Sequence, residues 1–176
     1  MFGSPSYLSK VTFSDSIPVR RDGGWNFSVG IKPGIAISRK TGSVRRGAFF
    51  RVEFVEPGSV FTFIMSAMNL PNYLLGILAN VILDMNSGYV KVGGFKTRGF
   101  GRVEIRNLSY EVVGFGGLIE NGQGPQEKVL KGFNEEGKPW YDPMDESVSF
   151  DGSPVGLLSA LSQLARKKLT KEERRG

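Results

Sequence analysis

The chain has neither cysteine nor histidine among its 176 residues. Without cysteine there is no disulfide framework and no thiolate-ligated zinc or iron–sulfur centre. Without histidine the commonest general base and metal ligand is missing, so catalysis would fall to carboxylates, lysine, tyrosine or hydroxyls. That weighs against an enzyme, and the sequence designates no catalytic residue, no metal ligand and no cofactor site. An uninterrupted apolar run of the roughly 18 residues that a membrane span needs is also lacking, so no membrane partner is expected. The opening MFGSPSYLSK does not follow the basic-then-apolar order of a signal peptide. The expectation is a soluble protein of a reducing cytoplasm.

What is present is enough apolar material for one domain with a packed interior, and a basic charge that is unevenly spread. Of the net +6, residues 1–50 carry +6, residues 51–90 carry −2, residues 91–110 carry +4, residues 111–150 carry −5 and residues 151–176 carry +3. Two basic blocks therefore flank a hydrophobic stretch. Clustered cations are the electrostatic footprint of a polyanion partner, because each one placed at a phosphate releases condensed counterions.

Along the chain, residues 10–13 alternate as a short strand with Val11 and Phe13 on one face. Residues 15–47 are rich in Gly, Pro and Arg, with brief strand-like runs at 27–31 and 34–37 and a turn at Arg39-Lys40-Thr41-Gly42; they read as a long loop or β-hairpin arm. A hairpin is expected from residues 49–56 and 60–65, joined by a type II turn at Glu56-Pro57-Gly58-Ser59. Asn69 is a candidate N-cap for a helix with Tyr73, Leu74, Ile77, Leu78, Val81, Ile82 and Met85 on its apolar face, ending near Gly88. A strand pair at 89–92 and 102–113 follows, with Val103 and Ile105 inward. Residues 114–152 are acidic and Gly-rich and read as a linker, and Ser153-Pro154 opens an amphipathic helix over 153–170.

The segment between the last two strands concentrates chemistry: Gly93, Gly94, Phe95, Lys96, Thr97, Arg98, Gly99, Phe100, Gly101 and Arg102. Its glycines let backbone N–H groups approach a ligand, its three cations suit phosphates, and its two phenylalanines suit base stacking. It lacks the Gly-Lys-Ser/Thr of a Walker loop, and no helix follows it.

This loop, continuing into Val103-Glu104-Ile105, resembles the C-terminal glycine-rich signature of the RAMP superfamily of CRISPR proteins. Three further segments are similar to the backbone (large-filament) subunits of type III complexes: Phe2-Gly3-Ser4, the run Gly34-Ile35-Ala36-Ile37-Ser38-Arg39-Lys40-Thr41-Gly42, and Gly47-Ala48-Phe49-Phe50-Arg51-Val52-Glu53. The resemblance covers roughly residues 1–113. It implies an α+β, ferredoxin-like (RNA-recognition-motif-type) domain over 1–113, with residues 15–47 as a thumb-like insertion. It further implies contacts to guide RNA through the loop and to phosphates through Arg39, Lys40, Arg45 and Arg46. The implied partners are guide and target RNA and neighbouring effector subunits, in antiviral defence. Family members usually open with a strand and an RNA-binding helix, and in those that cleave, with a catalytic aspartate. These have no counterpart here, so the chain is expected to be a split or truncated member whose fold a companion chain completes. A metal-dependent endoribonuclease is the second reading. Asp15, Asp22 and Asp84 are the carboxylates to test for it, although neither Asp15 nor Asp22 lies in a matching context.

Overall fold

A computed structural model describes residues 1–5, 8–114, 118–134 and 142–173, apart from the side chains of Arg46, Glu172 and Glu173. The chain is mixed α+β. It divides into two compact units, one of residues 1–10 and 67–176 and the other Val11–Ser66.

The Val11–Ser66 unit is built of strands alone. Its elements are β1 (Val11–Phe13), β2 (Ile17–Pro18), β3 (Arg20–Arg21), β4 (Gly24–Trp25), β5 (Val29–Ile37), β6 (Val44–Val55) and β7 (Phe61–Thr62), followed by β8 (Met65–Ala67) at its boundary. β1 pairs with β8, β2 with β7, β3 with β4 and β5 with β6. Val11 is buried as expected, whereas Phe13 is exposed.

The turn at residues 56–59 forms, with the Ser59 N–H on the Glu56 carbonyl (3.3 Å) and Gly58 at φ 91°. The strands on either side of it do not pair with each other, contrary to expectation: β6 takes β5, with Val29 opposite Val55 and Ile35 opposite Phe49, and β7 takes β2. Alternation marks a strand without choosing its neighbour. Here the choice is fixed at Ser28. Its N–H bonds Ser59 Oγ (3.2 Å), its hydroxyl bonds Glu56 Oε2 (2.7 Å), and its carbonyl accepts the Glu56 N–H (2.9 Å).

The other unit carries the core. α1 (Asn72–Asn86) starts from Pro71, whose carbonyl accepts the N–H groups of Leu74 and Leu75. Asn69, expected as the N-cap, instead adopts φ 52° and makes no cap bond. The buried Asn72 amide donates to the carbonyls of Lys131 (3.1 Å) and Glu146 (2.9 Å), pinning the start of the helix to the chain beyond residue 118. At the far end Gly88 N–H bonds Met85 and Tyr89 N–H bonds Asp84, the 5→2 and 6→1 pattern of a Schellman cap.

Residues 114–152, read as a linker, contain β9 (Ile119–Asn121), β10 (Lys128–Leu130) and β11 (Val148–Phe150), an antiparallel sheet in the order β11-β10-β9. α2 (Pro154–Glu173) lies on this sheet and on α1. Ser153 is its N-cap, Oγ accepting the Gly156 N–H at 2.9 Å. Ala79, Leu130, Val148, Phe150, Leu157, Leu161 and Leu164 form the shared core. Each of the larger side chains contributes about 1.5–3 kcal/mol by leaving water. Among the described residues no helix is long and apolar enough to cross a membrane.

Candidate nucleic-acid interface

The glycine-rich segment leaves and rejoins the chain at a narrow neck. The Val92 N–H donates to the Gly101 carbonyl (2.9 Å), and four residues beyond, the Asn86 amide brackets Ile105, accepting its N–H at 2.7 Å and donating to its carbonyl at 3.3 Å. The flanking residues 89–92 and 102–113 do not form the regular strand pair that was expected. Val103 and Ile105 keep their alternation and are half-buried, but among the described residues a single backbone bond, Val92 to Gly101, joins the two segments. Gly101 sits at φ 85°, and a Cβ there would collide with the Val92 carbonyl. Close backbone approach, not ligand contact, is what demands glycine at this position.

Inside the neck, Phe95 is left-handed (φ 54°, ψ 28°) and leads into a single 3₁₀ turn, Lys96–Arg98. A left-handed residue followed by a helical one turns successive N–H groups toward the same side, an arrangement that favours anions. The N–H groups of Gly93, Gly94, Phe95 and Lys96 have no acceptor among the described residues, and residues 92–99 are all exposed. The Lys91 ammonium ties the turn from outside by donating to the Lys96 carbonyl (3.2 Å). Nothing in the sequence separated Lys91 from any other strand-end lysine.

The aromatic and cationic groups are stacked rather than dispersed. Arg98 Cζ lies 5.3 Å from the Phe95 ring centroid, and Phe95 meets Phe100 edge-on at 6.3 Å. Lys96 and Arg98 are exposed on the turn. Arg102 points elsewhere: its guanidinium lies beside Gly88 at the carboxyl end of α1, where a cation meets the negative pole of the helix. Beyond the loop the Arg106 guanidinium, 2.6 Å from Glu104, holds that carboxyl below the ordinary carboxylate value, with Arg102 adding to the effect.

Arg39, Lys40 and Arg45 belong to the other unit and are exposed. Arg39 and Lys40 occupy the tip of the β5–β6 hairpin, which Ser38 closes by accepting the Gly42 N–H and donating to the Ser43 carbonyl, both at 2.9 Å. Arg45 lies where the register breaks. Ile37 opposes Val44 and Ile35 opposes Phe49, so residues 45–48 bulge opposite Ala36 alone. Arg46 shares that bulge, but its side chain lies outside the described residues. The bulge takes residues 45–48 out of the paired register, which no alternation pattern announces.

No group of three or more carboxylates converges among the described residues. Asp22 has a local explanation: at φ 47° it forms the turn between β3 and β4.

A family model described as the RAMP superfamily matches residues 1–104, a span that takes in the whole strand-only unit and the glycine-rich loop. No curated protein matches the chain.

Proposed function

Given that the chain belongs to the RAMP superfamily of CRISPR-associated proteins, we propose that it is an RNA-binding backbone subunit of a type III effector complex. In this reading the subunit holds guide RNA through the glycine-rich loop and stacks with its neighbours along the guide–target duplex. The observation that carries the reading is the loop itself. Lys96 and Arg98 lie on a 3₁₀ turn entered through open N–H groups at Gly93, Gly94, Phe95 and Lys96, with Arg98 stacked on Phe95. Such a site grips a sugar–phosphate backbone and is largely indifferent to base sequence.

The arm fits the second half of the reading. Val11 is the one fully buried hydrophobic residue of the Val11–Ser66 unit among those described, while Val29, Ile31, Ile35, Phe49 and Val55 share one face of the β5–β6 hairpin and are each at least half exposed. A two-stranded ribbon with that surface is marginal alone and gains by packing on another chain. A neighbouring subunit or a companion chain would cover it, with Arg39, Lys40, Arg45 and Arg46 toward the duplex. The ferredoxin-like arrangement of residues 1–113, a cytoplasmic setting and a role in antiviral defence belong to the same proposal.

The test is filter binding of single-stranded RNA at two salt concentrations, with the wild-type chain and the Lys96→Ala/Arg98→Ala double variant. Affinity should fall as salt rises, and the double variant should bind more weakly with a shallower salt dependence, by about 0.7 in log–log slope per contact removed. Salt-independent binding, or equal slopes for the two proteins, would refute the proposal.

A further inference from the structure

The Val11–Ser66 unit has a second cationic point that none of the resembling motifs includes. β3 and β4 form a two-residue hairpin with Arg20 opposite Trp25 and Arg21 opposite Gly24. Asp22 and Gly23 take φ 47° and 83°, the double positive φ of a type I′ turn, whose twist matches that of the strands. The Arg20 guanidinium lies over the Trp25 ring at 4.8 Å from its centroid. Trp25 is nevertheless 55% exposed, and Arg20 and Arg21 are exposed without an acidic partner among the described residues.

This tip is held firmly for its size. The Asn26 N–H bonds the Val19 carbonyl (2.7 Å), the Val19 N–H bonds Val60 (2.9 Å), and the Val60 N–H bonds Asn26 (2.8 Å). Next to this network in sequence, Phe27 and Phe61 meet at 5.9 Å. The indole, more than half exposed, is not part of the buried core. A large aromatic ring, half in water, with the Arg20 guanidinium over it and Arg21 exposed at the next position of the hairpin, is an arrangement that can receive a nucleobase and its phosphate. The tip is also distinct from the Arg39–Lys40 end. β5 runs between them for nine residues, so about 25–30 Å separates the two cationic points, too far for both to serve one phosphate.

We infer that Trp25, with Arg20 and Arg21, is a separate contact for single-stranded RNA, in which an unpaired base stacks on the indole and the adjoining phosphate meets the guanidiniums. This rests on the RNA-binding reading above, and it adds a base-dependent contact in the Val11–Ser66 unit to those of the glycine-rich loop. An acidic protein surface is the competing occupant. It would satisfy the arginines but leave the exposed indole without a function.

The experiment uses the full chain with Trp140→Phe as background, because Trp25 and Trp140 are its two tryptophans. Oligouridylate should quench Trp25 fluorescence, and Trp25→Ala should weaken oligouridylate binding roughly 5- to 100-fold. An abasic strand of equal length should bind Trp25→Ala and the parent alike, since it offers phosphates without bases. Trp25→Phe, which keeps a stacking ring, should recover most of the affinity and shows that the effect is not misfolding. Arg21→Ala should lower the salt slope by about 0.7. Unchanged oligouridylate binding by Trp25→Ala, with Lys96→Ala/Arg98→Ala still impaired, would overturn this contact and leave the loop reading standing. Quenching by an acidic peptide but not by oligouridylate would overturn it in favour of a protein partner. A parent chain that binds neither strand would overturn both readings.

Discussion

Gly76 of α1 lies directly on Ala165 of α2: a Cβ on Gly76 would stand 2.7 Å from the Ala165 Cβ and would strike the Leu161 carbonyl as well. The two helices approach until backbone touches backbone, and Ala165 is 0% exposed beneath the contact. Two effects oppose each other in Gly76→Ala. Alanine gains about 0.4–1 kcal/mol by stiffening the unfolded chain. Overpacking a well-filled contact costs about 1–3 kcal/mol, and here the obstacle includes backbone, which yields less readily than a side chain. The net expectation is a loss of about 1–2 kcal/mol, read as a fall of a few degrees in Tm. Gly94→Ala is the control, since its Cβ would meet nothing within 4 Å. Its stability should stay within about 0.5 kcal/mol of wild type.

Asp145 and Glu146 are sequence neighbours with opposite responses to acid. Burial pushes the Asp145 carboxyl above its ordinary 3.8, although the Phe133 N–H (2.6 Å) and the Tyr73 N–H (3.4 Å) pull the other way. The Lys168 hydrogen bond, aided by Lys167, holds Glu146 below its ordinary 4.5. The contribution of Glu146 is present above 4.5 and is lost as pH falls through its lowered folded value. That of Asp145 is complete below 3.8 and is lost as pH rises through its raised folded value. Unfolding curves recorded from about pH 3 to about pH 7 should separate them. Glu146→Gln should flatten the acid-side loss. Asp145→Asn should remove the opposing slope and also lower neutral-pH stability by about 1–3 kcal/mol, because an amide cannot accept both N–H groups.

Both helices were legible in the sequence. The 3.6-residue stripe of α1 and the Ser153-Pro154 start of α2 are local signals, and local signals survive folding. The sheet beside them was not. β9, β10 and β11 are three residues each, too short to display a period of two, and their pairing is set by contacts of long sequence separation such as Asn72 with Lys131 and Glu146. Asp145 looked like one more acid in a charged linker, whereas it is 1% exposed and joins the start of α1 to the Phe133 backbone.

The candidate interface was legible as composition but not as geometry. Ten residues of the glycine-rich run announced themselves, while the 3₁₀ turn, the Arg98–Phe95 stack and the diversion of Arg102 to the end of α1 depend on conformations that composition does not encode. The β3–β4 tip carried the Asp-Gly hairpin signal, but strands of two residues offer no alternation to support it. Asp22 therefore reads from sequence as a free carboxylate and in the structure as a turn former.

That difference bears on the endoribonuclease reading. Asp15→Ala and Asp84→Ala should leave RNA binding unchanged, as should Asp22→Asn, which tolerates the positive φ. Guide-programmed cleavage by the assembled complex should survive all three substitutions if the chain only binds. Loss of cleavage with binding intact at any one of them would identify that carboxylate as catalytic. Asp22→Ala is the less informative choice. It strains the turn and would disturb the Arg20–Trp25 tip for reasons unrelated to chemistry.

Geometry and charge in the glycine-rich loop can be separated by comparing three glycines that differ in what they protect. Gly101 has both a positive φ (85°) and the Val92 carbonyl against it; Gly93 has the positive φ (83°) but open space; Gly94 has open space alone. Alanine in the left-handed region costs about 1–2 kcal/mol. Gly101→Ala adds a backbone collision to that cost and should break the Val92–Gly101 bond that closes the neck. RNA affinity is therefore expected to fall most for Gly101→Ala, by about tenfold or more, less for Gly93→Ala, and hardly at all for Gly94→Ala. None of the three removes a charge, so filter-binding plots against salt should keep the wild-type slope and shift only in intercept, whereas Lys96→Ala/Arg98→Ala changes the slope. Equal losses at Gly94 and Gly101 would mean that the bound strand presses on the loop surface at residue 94, and that closure of the neck is not what holds the N–H groups in place.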